Sequence, residues 1–315
     1  MISSEQFFVA VGAVVPLFIL MFTGLLVHRY KLLTDVEINH VNGMVFKTFF
    51  SVMMFYNMYT TNLKETLRPD LIIFSITALA IVYIVSFFLV CRVVPGPKQR
   101  GAMIQAIYRS NFVLMGVPLV GNIFGENNIA LTTMMIAIII PIYNVLAVFT
   151  LETFRGGRFD LLHVAGGVLK NPMIIGAIVG CLFLLLGIQL PKPLLKPLGQ
   201  MSAMTSPLAL IILGASFRFS SVSENPRYLV SVVLARLVIV PALVFAAAIY
   251  WGFRGQELVT LLAIFGTPCA VASFSMAQLM DSDADLAGNC VVFTSALSCV
   301  TLFIWLLFFA AAGYL

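Results

Sequence analysis

The sequence predicts an all-α membrane protein of ten transmembrane helices, built as two inverted five-helix repeats whose fourth and ninth helices are broken. Three observations carry this: a composition too apolar for a water-soluble chain, ten apolar windows, and matching Gly and Pro signals in the two halves.

The 315 residues are 61 % hydrophobic and 10 % charged, with a mean hydropathy of +1.05. A soluble domain is about a quarter charged and roughly half apolar. The apolar runs exceed the roughly 20 residues that cross a bilayer as helix, and they lack the alternation of a barrel strand. The partner is therefore the lipid bilayer. The net charge of +5 predicts positive loops and no nucleic acid. The opening MISSEQFF carries no Lys or Arg, so the first span is expected to stay in the protein. Cys91, Cys181, Cys269, Cys290 and Cys299 have no metal spacing and read as small packing residues.

The windows run in order between charged or Pro/Gly breaks. The first, 7–27, stops at His28–Arg29; the second, 37–59, is diluted by Lys47. The third, 71–94, lies between Asp70 and Pro95, and the fourth, 102–124, follows the Lys98–Arg100 cluster. The fifth is 128–152, closing at Glu152. The sixth, 171–190, opens on Asn171–Pro172, and the seventh, 195–217, is rich in small polar residues. The eighth to tenth are 228–251, 257–280 and 286–312. The segment 153–170, TFRGGRFDLLHVAGGVLK, is the longest connection and divides the chain into 1–152 and 171–315. It predicts a cytoplasmic loop holding a short amphipathic helix.

With the N-terminus outside, the inner loops hold Arg29, Lys31, Arg92, Lys98, Arg100, Arg155, Arg158, Lys170, Arg218 and Arg227. The outer loops hold Lys64, Arg68, Lys192, Lys196 and Arg254. This bias puts both termini on the non-cytoplasmic side of the cell's inner (plasma) membrane.

A shift of 156 lays Pro16 on Pro172, Gly24 on Gly180 and Gly43 on Gly199; a shift of 150 lays Gly116 on Gly266 and Pro118 on Pro268. Two copies of a five-span unit must insert with opposite orientation, a geometry suited to alternating access.

The stretch RSNFVLMGVPLVGNIFG (109–125) and its counterpart FGTPCAVASFSMAQL (265–279) each carry Gly-x-Pro inside a span. Proline removes a donor and clashes with the preceding turn, so a helix break is expected at each. Such breaks are tolerated where the freed backbone faces protein or a wet cavity, and matched breaks point to a binding site. Ordinary Pro kinks are the alternative. Candidate substrate contacts are Asn111, Arg109, Gly116, Val117, Pro118, Thr267, Pro268, Cys269 and Ser273, with Lys47 and Arg236 as further intramembrane cations. Arg109 either binds substrate or snorkels to the inner face. Lys47 either meets substrate, snorkels or sits at a subunit interface. Asn111 leads, because its amide both donates and accepts.

No Asp or Glu lies deep in a span; Glu37, Glu152 and Glu257 sit at ends. An all-cationic interior favours a small organic anion as cargo, moved by its own gradient or by the membrane potential. The sequence has no His-Glu-x-x-His, no paired intramembrane aspartates and no Walker loop, so no enzyme, metal or cofactor is expected. Two alternatives stay open. One is a carrier for a neutral solute, or a Na⁺- or H⁺-coupled symporter of a neutral or anionic solute, in which Asn111, Ser273, Ser275 and carbonyls hold the solute or Na⁺; the other is a membrane sensor that binds without transport.

The motif NFVLMGVPL (111–119) resembles the Asn-x-x-x-Met-Gly-x-Pro-Leu signature of the auxin efflux carrier family, which includes plant auxin exporters and bacterial permeases for malate- or malonate-like acids. AVVPLFILMFTGLLVHRYKLL (13–33), LKNPMIIGAIVG (169–180) and SPLALIILGASF (206–217) resemble its first, sixth and seventh spans. The resemblance implies a fold related to bile-acid and sodium–proton carriers. It implies a scaffold of spans 1, 2, 6 and 7, a moving domain of spans 3–5 and 8–10 with an elevator-type mechanism, and fourth and ninth spans that cross at the substrate site. A homodimer through the scaffold is implied too. The chain departs from the family at Ser51, where a span-two proline is common, and in LIIFSITALA, which lacks the acidic residue of the plant carriers.

Overall fold

Helix follows helix along the whole described chain. The computed structural model describes residues 4–60, 68–125, 129–155 and 161–315, and of these the side chains of 4–14, 117, 161–164 and 219 lie outside the description. Lys64 and Arg158, used above for orientation, fall outside the described residues, as does the side chain of Val117.

The first window is α1 (Ser4–Arg29). The second is α2 (Asp35–Met44) and α3 (Phe50–Tyr59), joined through a π-helical turn, Val45–Phe49. α4 (Pro69–Val93) is followed by α5 (Pro97–Tyr108), a π turn at Phe112–Gly116 and α6 (Val117–Phe124). α7 (Ala130–Phe154) leads to the short α8 (Leu161–Lys170), the helix expected in the connecting segment. Next come α9 (Pro172–Leu185) and α10 (Lys192–Ser216). α11 (Pro226–Leu234) and α12 (Val240–Tyr250) flank a third π turn, Ala235–Ile239. α13 (Gly255–Phe265), α14 (Ala272–Leu279) and α15 (Ala284–Ala311) complete the chain. Among the described residues there is no strand beyond one isolated antiparallel bridge, Ser110–Cys269.

Five segments are long and apolar enough to cross a membrane: Pro69–Val93, Ala130–Phe154, Lys192–Ser216, Pro226–Tyr250 and Ala284–Ala311. Val15–Arg29, Phe112–Phe124, Pro172–Leu185 and Gly255–Phe265 are shorter apolar helices. α4 turns Ile73, Ile81 and Phe88 outward, the surface a helix offers to lipid.

Local chemistry sets the ends. Thr34 and Glu37 form a reciprocal capping box on α2. The Asn171 side chain accepts from Met173 N–H at 3.0 Å, with Pro172 in the first turn of α9. α9 ends at Leu185, short of the window's 190, because Gly187 at φ +65° turns the chain while Ile188 N–H reaches back to the Phe183 carbonyl.

Small residues bring helices into backbone contact. A Cβ on Gly24 would strike the Ile211 carbonyl across the α1–α10 contact, and one on Gly180 would strike the Phe55 carbonyl across α9–α3. In membranes, where apolar transfer drives little association, such close packing is the main adhesive.

One expectation needs correction. The first break does not fall at Pro118. α5 stops at Tyr108, the chain is extended at Arg109, and Pro118 sits in the first turn of α6, where its missing N–H has no helical partner to lose. The second break, between Phe265 and Ala272, does contain Pro268.

Candidate substrate site at the helix crossing

The two breaks meet. Asn111 N–H donates to the Pro268 carbonyl at 2.8 Å, and Ala270 N–H donates to the Arg109 carbonyl at 3.2 Å. An interrupted helix leaves four orphan carbonyls at one end and four orphan amides at the other. This short bridge satisfies part of that deficit and locks the four half-helices into one crossing.

Arg236 treats the carbonyl ends. It is fully buried, and its guanidinium donates to Thr267 (2.9 Å), Ile107 (3.1 Å), Tyr108 (3.2 Å) and Ile264 (3.1 Å) carbonyls. Those atoms end α5 and α13, so one cation sits against the negative ends of two helix dipoles. Tyr143 adds to the same knot: its hydroxyl donates to the Ile264 carbonyl at 3.2 Å and lies 3.2 Å from Ser110 Oγ.

Beside the crossing lies a cavity of about 60 Å³, lined among others by Arg109, Ser110, Asn111, Tyr143, Asn144 and Ala270 but not by Arg236. The first residues of the two outgoing half-helices, Phe112–Leu114 and Val271–Ala272, also line it. Their amide ends bring partial positive charge to the space. Asn111 is 6 % exposed, and its Nδ2 has no hydrogen-bond partner. Arg109 is buried and does not snorkel: Nη2 donates to Asn144 Oδ1 at 2.5 Å and Nη1 to Met276 Sδ at 2.7 Å. Among the described residues no carboxylate pairs with either Arg109 or Arg236. The cavity lining contains no Asp or Glu.

The predicted residues thus divide. Arg109 and Asn111 line the cavity; Thr267, Pro268 and Cys269 form the crossing behind it. The Thr267 hydroxyl donates to the Ala263 carbonyl (2.8 Å), and Cys269 N–H donates to Thr294 Oγ1 (3.0 Å). Ser273 and Ser275 are buried, Ser273 beside the Cys269 thiol and Ser275 with an unpartnered hydroxyl. Gly116 packs on α13, since a Cβ there would lie 2.8 Å from Ala263 Cβ, and Pro118 is exposed. Lys47 is exposed and lines a different cavity.

Asn144 and the span-two methionines escaped the sequence reading as site residues. Asn144 donates to the Ile140 carbonyl (2.9 Å) and to Met54 Sδ (2.8 Å) while accepting from Arg109. Its signal is an amide in the middle of an apolar window, three residues after Pro141. Each π turn also touches a candidate: one holds Lys47, one holds Arg236 and one follows Asn111. π turns recur at functional sites.

Comparison with known proteins gives the family of the chain. The sequence profile of the membrane transport protein family (Mem_trans) matches residues 9–160 and 161–306. An uncharacterized transporter of Methanocaldococcus jannaschii is 24 % identical over 214 residues, covering 66 % of this chain and 68 % of that protein. The chain belongs to the membrane transport protein family, the auxin efflux carrier family that its motifs resemble.

Proposed function

We propose that this membrane transporter carries a small organic anion, a mono- or dicarboxylate, at the crossing. The observation that carries the reading is the sign of the cavity. Arg109, two helix amide ends and the unpartnered Asn111 amide face it, and no carboxylate does. A buried cation without a counter-charge is costly, and a carboxylate cargo would supply one. Arg236 supports this by occupying the carbonyl ends of α5 and α13, outside the cavity lining. Lys47, Gly116 and Pro118 fit this reading less closely than Asn111 and Arg109.

Packing supports the two inverted repeats of five spans. Gly24 meets Ile211 and Gly180 meets Phe55. The shift that lays Gly24 on Gly180 also lays Phe55 on Ile211, so both contacts are copies of one another. In this reading α1, α2–α3, α9 and α10 form the scaffold, and α4–α7 with α11–α15 move against it as an elevator. A cavity of about 60 Å³ holds only a few waters, so cargo entry requires that movement. The inner plasma membrane, outward termini and scaffold homodimer remain parts of the same proposal.

The cation-coupled alternative draws on the hydroxyls of Ser273 and Ser275. Two guanidiniums at the crossing count against a bound cation there. Counterflow in liposomes with labelled mono- and dicarboxylates tests the reading. Flux at a fixed potential without Na⁺ or a proton gradient is expected; carboxylate binding without flux would make the protein a sensor, and flux lost with Na⁺ or the proton gradient a symporter.

A further inference from the structure

A second cavity, of about 630 Å³, lies between α2–α3, α7, α8 and α9. Lys47 reaches it from the Val45–Phe49 π turn, Arg155 from the end of α7 and Lys170 from the last turn of α8. We infer that this cavity is a binding site for a phosphate- or carboxylate-bearing anion, separate from the crossing.

Three cations from three elements converge there; Asp281, which Arg155 also feels, is taken up by Lys98, and the lining itself holds one carboxylate. That carboxylate, Glu152, is already engaged by Arg155 at 3.2 Å and is buried. It is also held in place: a Cβ on Gly167 would lie 2.7 Å from Glu152 Cδ, so α8 rests directly on it. Among the described residues Lys47 and Lys170 form no ion pair. The N-terminus of α9 opens onto the same space, with Asn171 and Pro172 in the lining. Its dipole adds to the positive field.

A solvated surface cluster would spread such charges apart. Here they share a cavity with an apolar margin of Phe46, Leu279 and Met280. Basic pockets between membrane helices of this kind take anionic headgroups. The anion has two sources. A soluble oxyanion would use the cavity as a vestibule, one helical turn along the chain from Phe50 of the crossing cavity. An anionic phospholipid would use it as a headgroup seat, and exposed Met44, Leu169 and Ile175 beside the site offer a path for its chains. The inference rests on charge and shape at this cavity and not on the crossing.

The test titrates the purified full chain, in uncharged detergent, with inorganic phosphate and separately with dioctanoyl-phosphatidylglycerol. Dioctanoyl-phosphatidylcholine is the control, and the thermal midpoint is the readout. Stabilisation by either anion beyond the control is expected, with apparent affinity falling about fivefold for each of K47Q and K170Q. A response to phosphate identifies the vestibule; a response to phosphatidylglycerol alone identifies the lipid seat. N111A should respond as the original chain does. The inference is overturned if neither anion exceeds the control, if the double variant K47Q/K170Q responds unchanged, or if N111A abolishes the response.

Discussion

Asn111 and Pro268, 157 positions apart in the chain, share a 2.8 Å backbone hydrogen bond that ties the two helix breaks together. The bond uses the main-chain N–H of Asn111 and leaves its side-chain Nδ2 unpartnered at the cavity. A residue whose backbone holds the crossing and whose side chain is free to bind links the architecture to the site.

That division predicts the behaviour of Asn111 variants. N111A should keep the fold, since the backbone bond persists, and weaken carboxylate binding by about tenfold, the loss of one charge-assisted hydrogen bond. N111D should bind worse still, because it brings a negative charge to an anion site. Calorimetry with a panel of two- to six-carbon mono- and dicarboxylates checks both; unchanged binding by N111A places the cargo elsewhere.

Arg109 and Asn144 form the polar wall of the cavity, joined at 2.5 Å. R109M removes the cation and should abolish anion binding, whereas R109K keeps the charge but loses the planar fork and should retain part of it. If R109M binds as well as the original chain, the guanidinium serves packing alone.

Arg236 should answer to stability before binding. R236M withdraws the guanidinium from four buried carbonyls, of which Ile264 alone keeps the Tyr143 hydroxyl, and the loss of several charge-assisted bonds, each about 1.5–3 kcal/mol, should lower the thermal midpoint sharply. R236K should recover part of it. A folded R236M that has lost only cargo binding would make Arg236 a ligand.

Gly214 should prove intolerant of side chains. A Cβ there would collide with the Met21 carbonyl across the α1–α10 contact, so G214A should cost about 1–3 kcal/mol as the helices separate. Unfolding in mixed detergent measures it, and G166A, at a helical site open around its Cβ, provides the comparison.

Acid should loosen one exposed clamp. Lys98 hydrogen-bonds Asp281 at 2.6 Å and holds that carboxyl below its usual range. A depressed carboxyl stabilises the fold above its unfolded pKa, about 3.9, and that contribution is lost as pH falls through the lower folded value. D281N should therefore flatten the acid limb of a stability–pH curve and give up, at neutral pH, the modest contribution of the exposed pair. Asn also suits the left-handed backbone at φ +56°. An identical acid limb in both proteins would show that the pair contributes nothing.

Much of this protein is determined locally and is legible in the sequence. Hydropathy alone gives the apolar helices, because a chain without water must satisfy its backbone within each segment. The caps at Thr34 and Asn171 and the connecting helix before Asn171 follow from short-range residue patterns. That the 109–125 and 265–279 stretches interrupt their helices was likewise legible, since polar and helix-breaking letters stand out in an apolar run. Other features depended on what lies opposite in space. The first break sits at Arg109–Asn111 and not at Pro118, because Pro268 offers its carbonyl to Asn111 and Arg236 gathers the carbonyls left behind. Arg109, Lys47 and Arg236 read alike as intramembrane cations, yet one faces a cavity with Asn144, one a separate basic pocket and one four backbone carbonyls. Charge and hydropathy fix that a cation is present in a span; only the packing of distant helices decides which dipoles and carbonyls surround it.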